Sequence, residues 1–132
     1  MAPARIVICE DDPVIQKLLQ VSLRDTGYVL LMAQDGVDGL ALIEREQPDA
    51  ILTDVAMPRM DGLQLADAVR SAPELADIPI VFLTASVQRI HFDEAGRHGA
   101  TAYVTKPFRA ADLRAALEWV LARTHRRRPA AE

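Results

Sequence analysis

The chain has 132 residues, of which 50% are hydrophobic and 26% are charged, as expected for one globular domain. Its formal net charge of -4 argues against a nucleic-acid binder that relies on bulk positive charge, and its single cysteine leaves no internal disulfide to form. No apolar run reaches membrane-spanning length, and the N-terminus lacks a signal-peptide pattern. These features predict a cytoplasmic protein that acts on neither membranes nor nucleic acids.

Five short apolar runs alternate with amphipathic segments along the chain. The runs predict buried strands, and the segments, which begin at Asp or Pro and end at Gly or Pro, predict helices. The predicted strands are 5–9, 28–33, 50–54, 80–84 and 102–105, and the predicted helices are 13–27, 35–47, 61–72, 87–98 and a last one containing 113–121. The helix over 87–98 is the least regular, because Gly96 and Gly99 lie within it or just beyond it. We expect one domain over residues 1–124 and an Arg-rich flexible tail over 125–132.

The alternation of buried strands and helices predicts an α/β fold. Strands of this kind form a doubly wound, five-stranded parallel sheet with helices on both faces. In the strand order 2-1-3-4-5, ligands bind beyond the carboxyl ends of the strands, between the first and the third strand. Glu10 and Asp11 follow the first strand and Asp54 ends the third, so these carboxylates fall at that crevice.

Polar side chains end four of the five predicted strands. Glu10 and Asp11, Asp54, Thr84 and Lys106 should therefore share one rim of the sheet. Carboxylate oxygens suit Mg²⁺, which would offset the repulsion among three carboxylates and neutralise charge on a phosphoryl group. If the site handles a phosphoryl group and a hard cation, Asp54 would be the nucleophile toward phosphorus, Lys106 would neutralise a phosphoryl oxygen and Thr84 would donate a hydrogen bond to another.

Four segments of this chain resemble the receiver domain of two-component response regulators, a CheY-like family with a flavodoxin-like fold. The segments are 10–11 (ED), 54–62 (DVAMPRMDG), 82–85 (FLTA) and 103–108 (YVTKPF). Their order and spacing match the family over the whole chain up to the Arg-rich tail. The resemblance implies the strand order 2-1-3-4-5 and a phosphorelay function.

The resemblance also implies a role for each acidic residue at the rim. Asp54 would be the phospho-acceptor. Asp11 and Asp54 would bind Mg²⁺ together with the backbone carbonyl of Ala56, and Glu10 would act mainly through water.

The family's switch residues map onto the last two predicted strands. Lys106 resembles the active-site lysine, followed by a cis bond to Pro107, and Thr84 resembles the switch hydroxyl. Tyr103 matches the aromatic switch position, whose ring moves inward when the threonine is drawn to the phosphoryl group. The surface that responds would be formed by the fourth predicted helix, the fifth strand and the last helix. A downstream effector protein would bind there, and a phosphorylation-dependent homodimer could form through the same face.

These features predict a phosphoryl-accepting signalling domain rather than an enzyme. It would take its phosphoryl group from a sensor histidine kinase or a histidine phosphotransfer protein, and would assist only its own phosphorylation and dephosphorylation. One alternative is the receiver part of a larger DNA-binding transcription regulator. Another is a small phosphatase with an aspartyl-phosphate intermediate, which is disfavoured because no carboxylate lies two residues past Asp54 to act as general acid.

Overall fold

The computed structural model describes residues 2–85 and 101–124. The strands are β1 (Arg5–Cys9), β2 (Val29–Ala33), β3 (Ala50–Asp54), β4 (Ile80–Thr84) and β5 (Ala102–Thr105); the helices are α1 (Pro13–Ser22), α2 (Gly36–Glu46), α3 (Gly62–Ser71) and α4 (Ala110–Thr124). The helix predicted over 87–98 and the tail over 125–132 lie outside the described residues. Within the described ranges, no helix is both long enough and apolar enough to cross a membrane.

The five strands form one parallel sheet in the order β2-β1-β3-β4-β5. The doubly wound order predicted from the sequence is therefore confirmed. The central strands β3 and β4 are buried at every residue, whereas β2 and β5 are only partly buried. Because β2 and β5 lie at the two edges, fewer neighbours cover them.

Alternation of side chains along the central strands divides the core into two layers. On β1, Val7 and Cys9 point to the layer that also contains buried side chains of α2 and α3. Ile6 and Ile8 point to the opposite layer, which contains buried side chains of α1 and α4. The period of two in the strands therefore explains why helices cover both faces of the sheet.

Helix α1 ends one turn earlier than the sequence predicts, at Ser22 instead of Gly27. The Thr26 hydroxyl donates to the carbonyl of Leu23 at 2.7 Å and accepts from the Tyr28 amide at 3.1 Å. Gly27 follows with a φ of 83°, in the left-handed region. The hydroxyl satisfies backbone groups that another helical turn would have bonded, so the chain leaves the helix early and enters β2 at Val29.

Helix α2 lies unusually close to β1 at Gly39. A Cβ atom added to Gly39 would lie 2.4 Å from Cys9 Sγ, well inside van der Waals contact. Cys9 is 1% exposed, and burial raises the pKa of its thiol to about 12, so the sulfur is a neutral packing group.

Gly39→Ala should therefore destabilise the protein by about 1 kcal/mol, although alanine favours a helix by roughly 1 kcal/mol over glycine, because overpacking costs about 1–3 kcal/mol. Urea denaturation measures the change. In a Cys9→Ala background the sulfur is gone, and the same substitution should become neutral or stabilising. An equal loss of stability in both backgrounds would show that the contact with Cys9 is not the cause.

Candidate functional site

The carboxyl ends of β1, β3 and β5 bring two carboxylates and one ammonium group together. In the register of the sheet Cys9 lies opposite Thr53, so the residues that follow them, Glu10 and Asp54, are neighbours. Lys106, just past β5, places its Nζ 3.1 Å from Glu10 Oε1 and 3.0 Å from Asp54 Oδ2. One ammonium group therefore bridges carboxylates from two different strands.

The remaining oxygen of each carboxylate is fixed by the backbone. Asp54 Oδ1 accepts from the Val55 amide at 3.0 Å, and Glu10 Oε2 accepts from the Asp12 amide at 3.0 Å. Both side chains are buried, with 1% exposure for Glu10 and 7% for Asp54. The two carboxylates are thus oriented as well as paired.

Burial shifts the pKa values of Glu10, Asp54 and Lys106. Desolvation is the largest influence on both carboxyls and raises the pKa of Glu10 and of Asp54, and each also feels a neighbouring carboxylate. For Lys106, burial lowers the pKa, but its bonds to Asp54 and Glu10 outweigh that effect and leave the pKa above its ordinary value. The lysine is therefore charged, and it partly offsets the cost of keeping two carboxylates ionised in a buried place.

Asp11 adds a third, exposed carboxylate to this rim. One oxygen from each of Glu10, Asp11 and Asp54 lies within 4.8 Å of the others, close enough to share one cation. An all-oxygen set with an exposed member is the donor chemistry that Mg²⁺ accepts, since this ion keeps several of its waters. The acidic group is therefore compatible with magnesium.

The other predicted residues lie at or beside the same rim. Thr84 is 4% exposed at the end of β4, and its carbonyl accepts from the Lys106 amide at 2.7 Å, just before the cis bond from Lys106 to Pro107. Tyr103 is half-buried and meets Phe82 edge to face, with 6.5 Å between ring centroids. The ends of β4 and β5 are thus joined next to the lysine.

Ala56 is exposed on the loop that follows Asp54. This loop closes on itself, because the Gly62 amide donates to the carbonyl of Val55 at 2.8 Å. Its far end is held by Arg59, whose guanidinium contacts Asp35 at the start of α2. The sequence predicts Asp35 only as a helix cap, since an ion pair between residues 24 positions apart has no local signature.

A family model described as the response regulator receiver domain matches residues 6–118. This range contains every residue of the rim. The chain belongs to the response regulator receiver family. It is therefore a signalling domain of the two-component type, as the four segments predict.

A curated relative agrees with this assignment. The receiver domain is 38% identical over 122 residues to the DNA-binding dual master transcriptional regulator RpaA of a Synechocystis species. That match covers 92% of this chain and 51% of RpaA, so the chain spans about half the length of this curated relative.

Solved structures show the same fold. A putative response regulator from Chloroflexus aurantiacus is 33% identical with a TM-score of 0.87, over 92% of this chain and 99% of that one. The receiver domain of a sensor histidine kinase from Pseudomonas aeruginosa is 32% identical with a TM-score of 0.81, over 90% and 98% of the two chains. That structure has a magnesium ion coordinated in its active-site cleft.

The raised pKa of Asp54 gives the receiver domain a defined pH dependence. Below the ordinary aspartate pKa of 3.8 the carboxyl is protonated in both the folded and the unfolded chain. As pH rises, the folded state holds its proton longer, so ionisation of Asp54 lowers the free energy of unfolding. In metal-free buffer, Asp54→Asn should therefore match wild type below pH 3.8 and become progressively more stable than wild type toward neutral pH. Thermal melting at several pH values measures this gain.

Asp25→Asn is the matched control for that experiment, because Asp25 is exposed on the turn after α1. It should show no comparable gain. If Asp54→Asn were less stable than wild type throughout the pH range, burial would not be the dominant influence on this carboxyl.

Proposed function

We propose that Asp54 accepts a phosphoryl group from a phosphohistidine on a sensor histidine kinase or a histidine phosphotransfer protein. A carboxylate oxygen forms the new bond to phosphorus while the bond from phosphorus to nitrogen breaks, and the imidazole nitrogen leaves with the electron pair. The observation that carries the proposal is the Asp54 carboxylate itself. It is buried, held by the Val55 amide through one oxygen and paired with Lys106 through the other.

Lys106 is the cation that would accompany the transfer. Its Nζ contacts Asp54 Oδ2 at 3.0 Å. The ammonium group is thus next to the carboxylate that would bond phosphorus, and a small movement would bring it to a phosphoryl oxygen. Glu10, the second partner of Nζ at 3.1 Å, keeps the ammonium group at the rim while Asp54 reacts. A charged donor already in position costs little reorganisation at the moment of reaction.

Asp11, Asp54 and the backbone carbonyl of Ala56 are the proposed magnesium ligands, with Glu10 acting through water. The proposal is supported by the clustering of the three carboxylates and by the magnesium ion in the related Pseudomonas receiver domain. When bound, the ion would neutralise negative charge on the phosphoryl oxygens. The carboxylates would hold the ion at the rim, and one oxygen of Asp54 would remain available to bond phosphorus.

Thr84 and Tyr103 are the proposed switch residues. Thr84 lies at the end of β4 and Tyr103 on the neighbouring β5. In this proposal the Tyr103 ring moves inward when the Thr84 hydroxyl is drawn to a new phosphoryl group. The signal would be read on the face of β5 and α4, by an effector protein or by a second copy of the chain. On α4, Trp119 is 45% exposed and stacks under Arg123, a feature suited to such a contact.

In this proposal the chain is a switch that assists only its own phosphorylation and dephosphorylation, within a domain of residues 1–124 followed by a tail over 125–132. A second candidate keeps the same switch but makes it part of a longer DNA-binding regulator. It is favoured by the match to RpaA, of which this chain spans about half. Immunoblotting of source cells with antibodies to residues 1–124 distinguishes a product near 14.5 kDa from one of roughly twice that mass.

Incubation with Mg²⁺ and a small phosphoryl donor should add one phosphoryl group to the wild-type chain. Asp54→Asn should abolish the adduct, because an amide oxygen is a far poorer nucleophile than a carboxylate. Asp25→Asn, at an exposed position away from the rim, should be phosphorylated like wild type. Intact-mass spectrometry measures the yield, and an equal yield on Asp54→Asn would refute Asp54 as the acceptor.

The chain contains only two lysines, which gives a matched pair of variants. Lys106→Ala should slow the appearance of the phosphoadduct by on the order of 100-fold, since it removes the positioned charge beside Asp54. Lys17→Ala, which alters an exposed lysine on α1, should leave the rate unchanged. Time-resolved intact mass gives both rates, and equal rates for the two variants would exclude a special role for Lys106.

A further inference from the structure

The loop from Asp54 to α3 carries Ala56 and is fastened to a different part of the fold by Arg59. Arg59 has a φ of 67°, in the left-handed region that residues other than glycine seldom adopt. Its Nε donates to Asp35 Oδ2 at 2.9 Å, and its Nη2 lies 2.7 Å from the same oxygen and 3.1 Å from Asp38 Oδ1. An unfavourable backbone conformation is thus accompanied by three charge-assisted contacts.

The Asp35 carboxylate binds both the start of α2 and the guanidinium of Arg59. It is 5% exposed, and its two oxygens have separate tasks, because Oδ1 caps α2 by accepting from the Asp38 amide at 2.8 Å while Oδ2 contacts Arg59. The hydrogen bond from Asp38 and then the guanidinium keep the pKa of Asp35 below its ordinary value. The carboxylate is therefore ionised, and it is fixed by the helix on one side and by the loop on the other.

The backbone makes a second contact at the same place. The Gly36 amide donates to the carbonyl of Met60 at 3.2 Å. A Cβ atom on Gly36 would lie 2.2 Å from that carbonyl oxygen, so only glycine permits the loop to approach this closely. Arg59 and Met60 together join the loop to the first turn of α2, and this pair of contacts is called here the loop latch.

We propose that Arg59 is a positioning residue that, through the loop latch, holds the Ala56 carbonyl where it can bind the metal of the phosphorylation site. Ala56 lies between two fixed points, the carboxylate of Asp54 at the end of β3 and the latch at Arg59. Without the guanidinium contacts, only the hydrogen bond from the Gly36 amide to the Met60 carbonyl holds this end of the segment, so the carbonyl ligand would be less well pre-oriented. Groups that orient a metal ligand typically contribute 10- to 100-fold in metal affinity.

This inference rests on the proposed magnesium site. The direction of the expected change in Mg²⁺ affinity distinguishes it from an effect of charge alone. Arg59 carries a positive charge, so by charge alone its removal would strengthen the binding of Mg²⁺. The latch predicts the opposite result. Arg59→Gly is the sharpest variant, because glycine accepts a φ of 67° without strain and so removes the guanidinium while tolerating the backbone conformation.

Titration calorimetry with MgCl₂ tests the proposal, with circular dichroism to verify that each variant is folded at the temperature used. Arg59→Gly should raise the dissociation constant for Mg²⁺ about tenfold. Arg45→Ala is the control, since Arg45 is also an exposed arginine, pairs with Glu46 near the other end of α2, and should leave the constant unchanged. A dissociation constant for Arg59→Gly equal to or lower than that of wild type would overturn the proposal.

Asp35→Asn removes the negative charge that pairs with Arg59 while retaining a side-chain oxygen to cap α2. In an Asp35→Asn background, Arg59→Gly should cause little further loss of affinity, because the contact is already broken. A full tenfold loss in that background would overturn the role of Asp35 and hence the latch. A wild-type chain that bound no Mg²⁺ would overturn the metal site as well, whereas binding without a phosphoadduct would contradict only the proposed function.

Discussion

The site depends on a single ammonium group placed between two buried carboxylates. Glu10 and Asp54 end neighbouring strands, and their proximity follows from the register of the sheet rather than from any attraction between them. Desolvation and mutual repulsion both oppose their ionisation. Lys106 contacts both at about 3 Å and lowers that cost. A buried pair of this kind contributes little to net stability, which is the expected cost of keeping a charged site inside a folded protein.

The balance of charge at the rim also bears on the proposed phosphorylation. Two carboxylates and one lysine leave negative charge in excess, and exposed Asp11 increases it. In the proposed function an additional cation would relieve the excess, and a phosphoryl group would restore negative charge once that cation is bound. Metal and phosphoryl group would then each favour binding of the other, which is thermodynamic coupling between two ligands at one site.

Much of this arrangement can be predicted from the sequence. Apolar runs that end in Glu10, Asp54 and Thr84, in an alternating chain, must deliver those side chains to one edge of a parallel sheet. The direct contact from Lys106 to Glu10 goes beyond the predicted role of Glu10 through water. It depends on how far one side chain reaches across the rim, which strand order alone does not determine.

The loop latch was not predictable in the same way. Arg59 adopts a backbone conformation that its residue type does not favour, and it is held there by partners that the chain passed more than twenty residues earlier. Local propensity assigns Asp35 a capping role, which is correct but incomplete. The early end of α1 has a similar origin, since a single hydroxyl at Thr26 competes with the next helical turn. Such features arise from specific contacts rather than from periodic patterns.

The separation of the site residues along the chain also determines at what stage of folding the site can form. Lys106 and Glu10 are 96 residues apart in sequence, and they meet only after β1, β3, β4 and β5 have all paired. Contacts of such long range form late in folding, because each requires a large loop to close first. No partly folded fragment that lacks β5 contains the bridging lysine. Occupation of the site would therefore stabilise, by mass action, only those states in which β1, β3, β4 and β5 are paired.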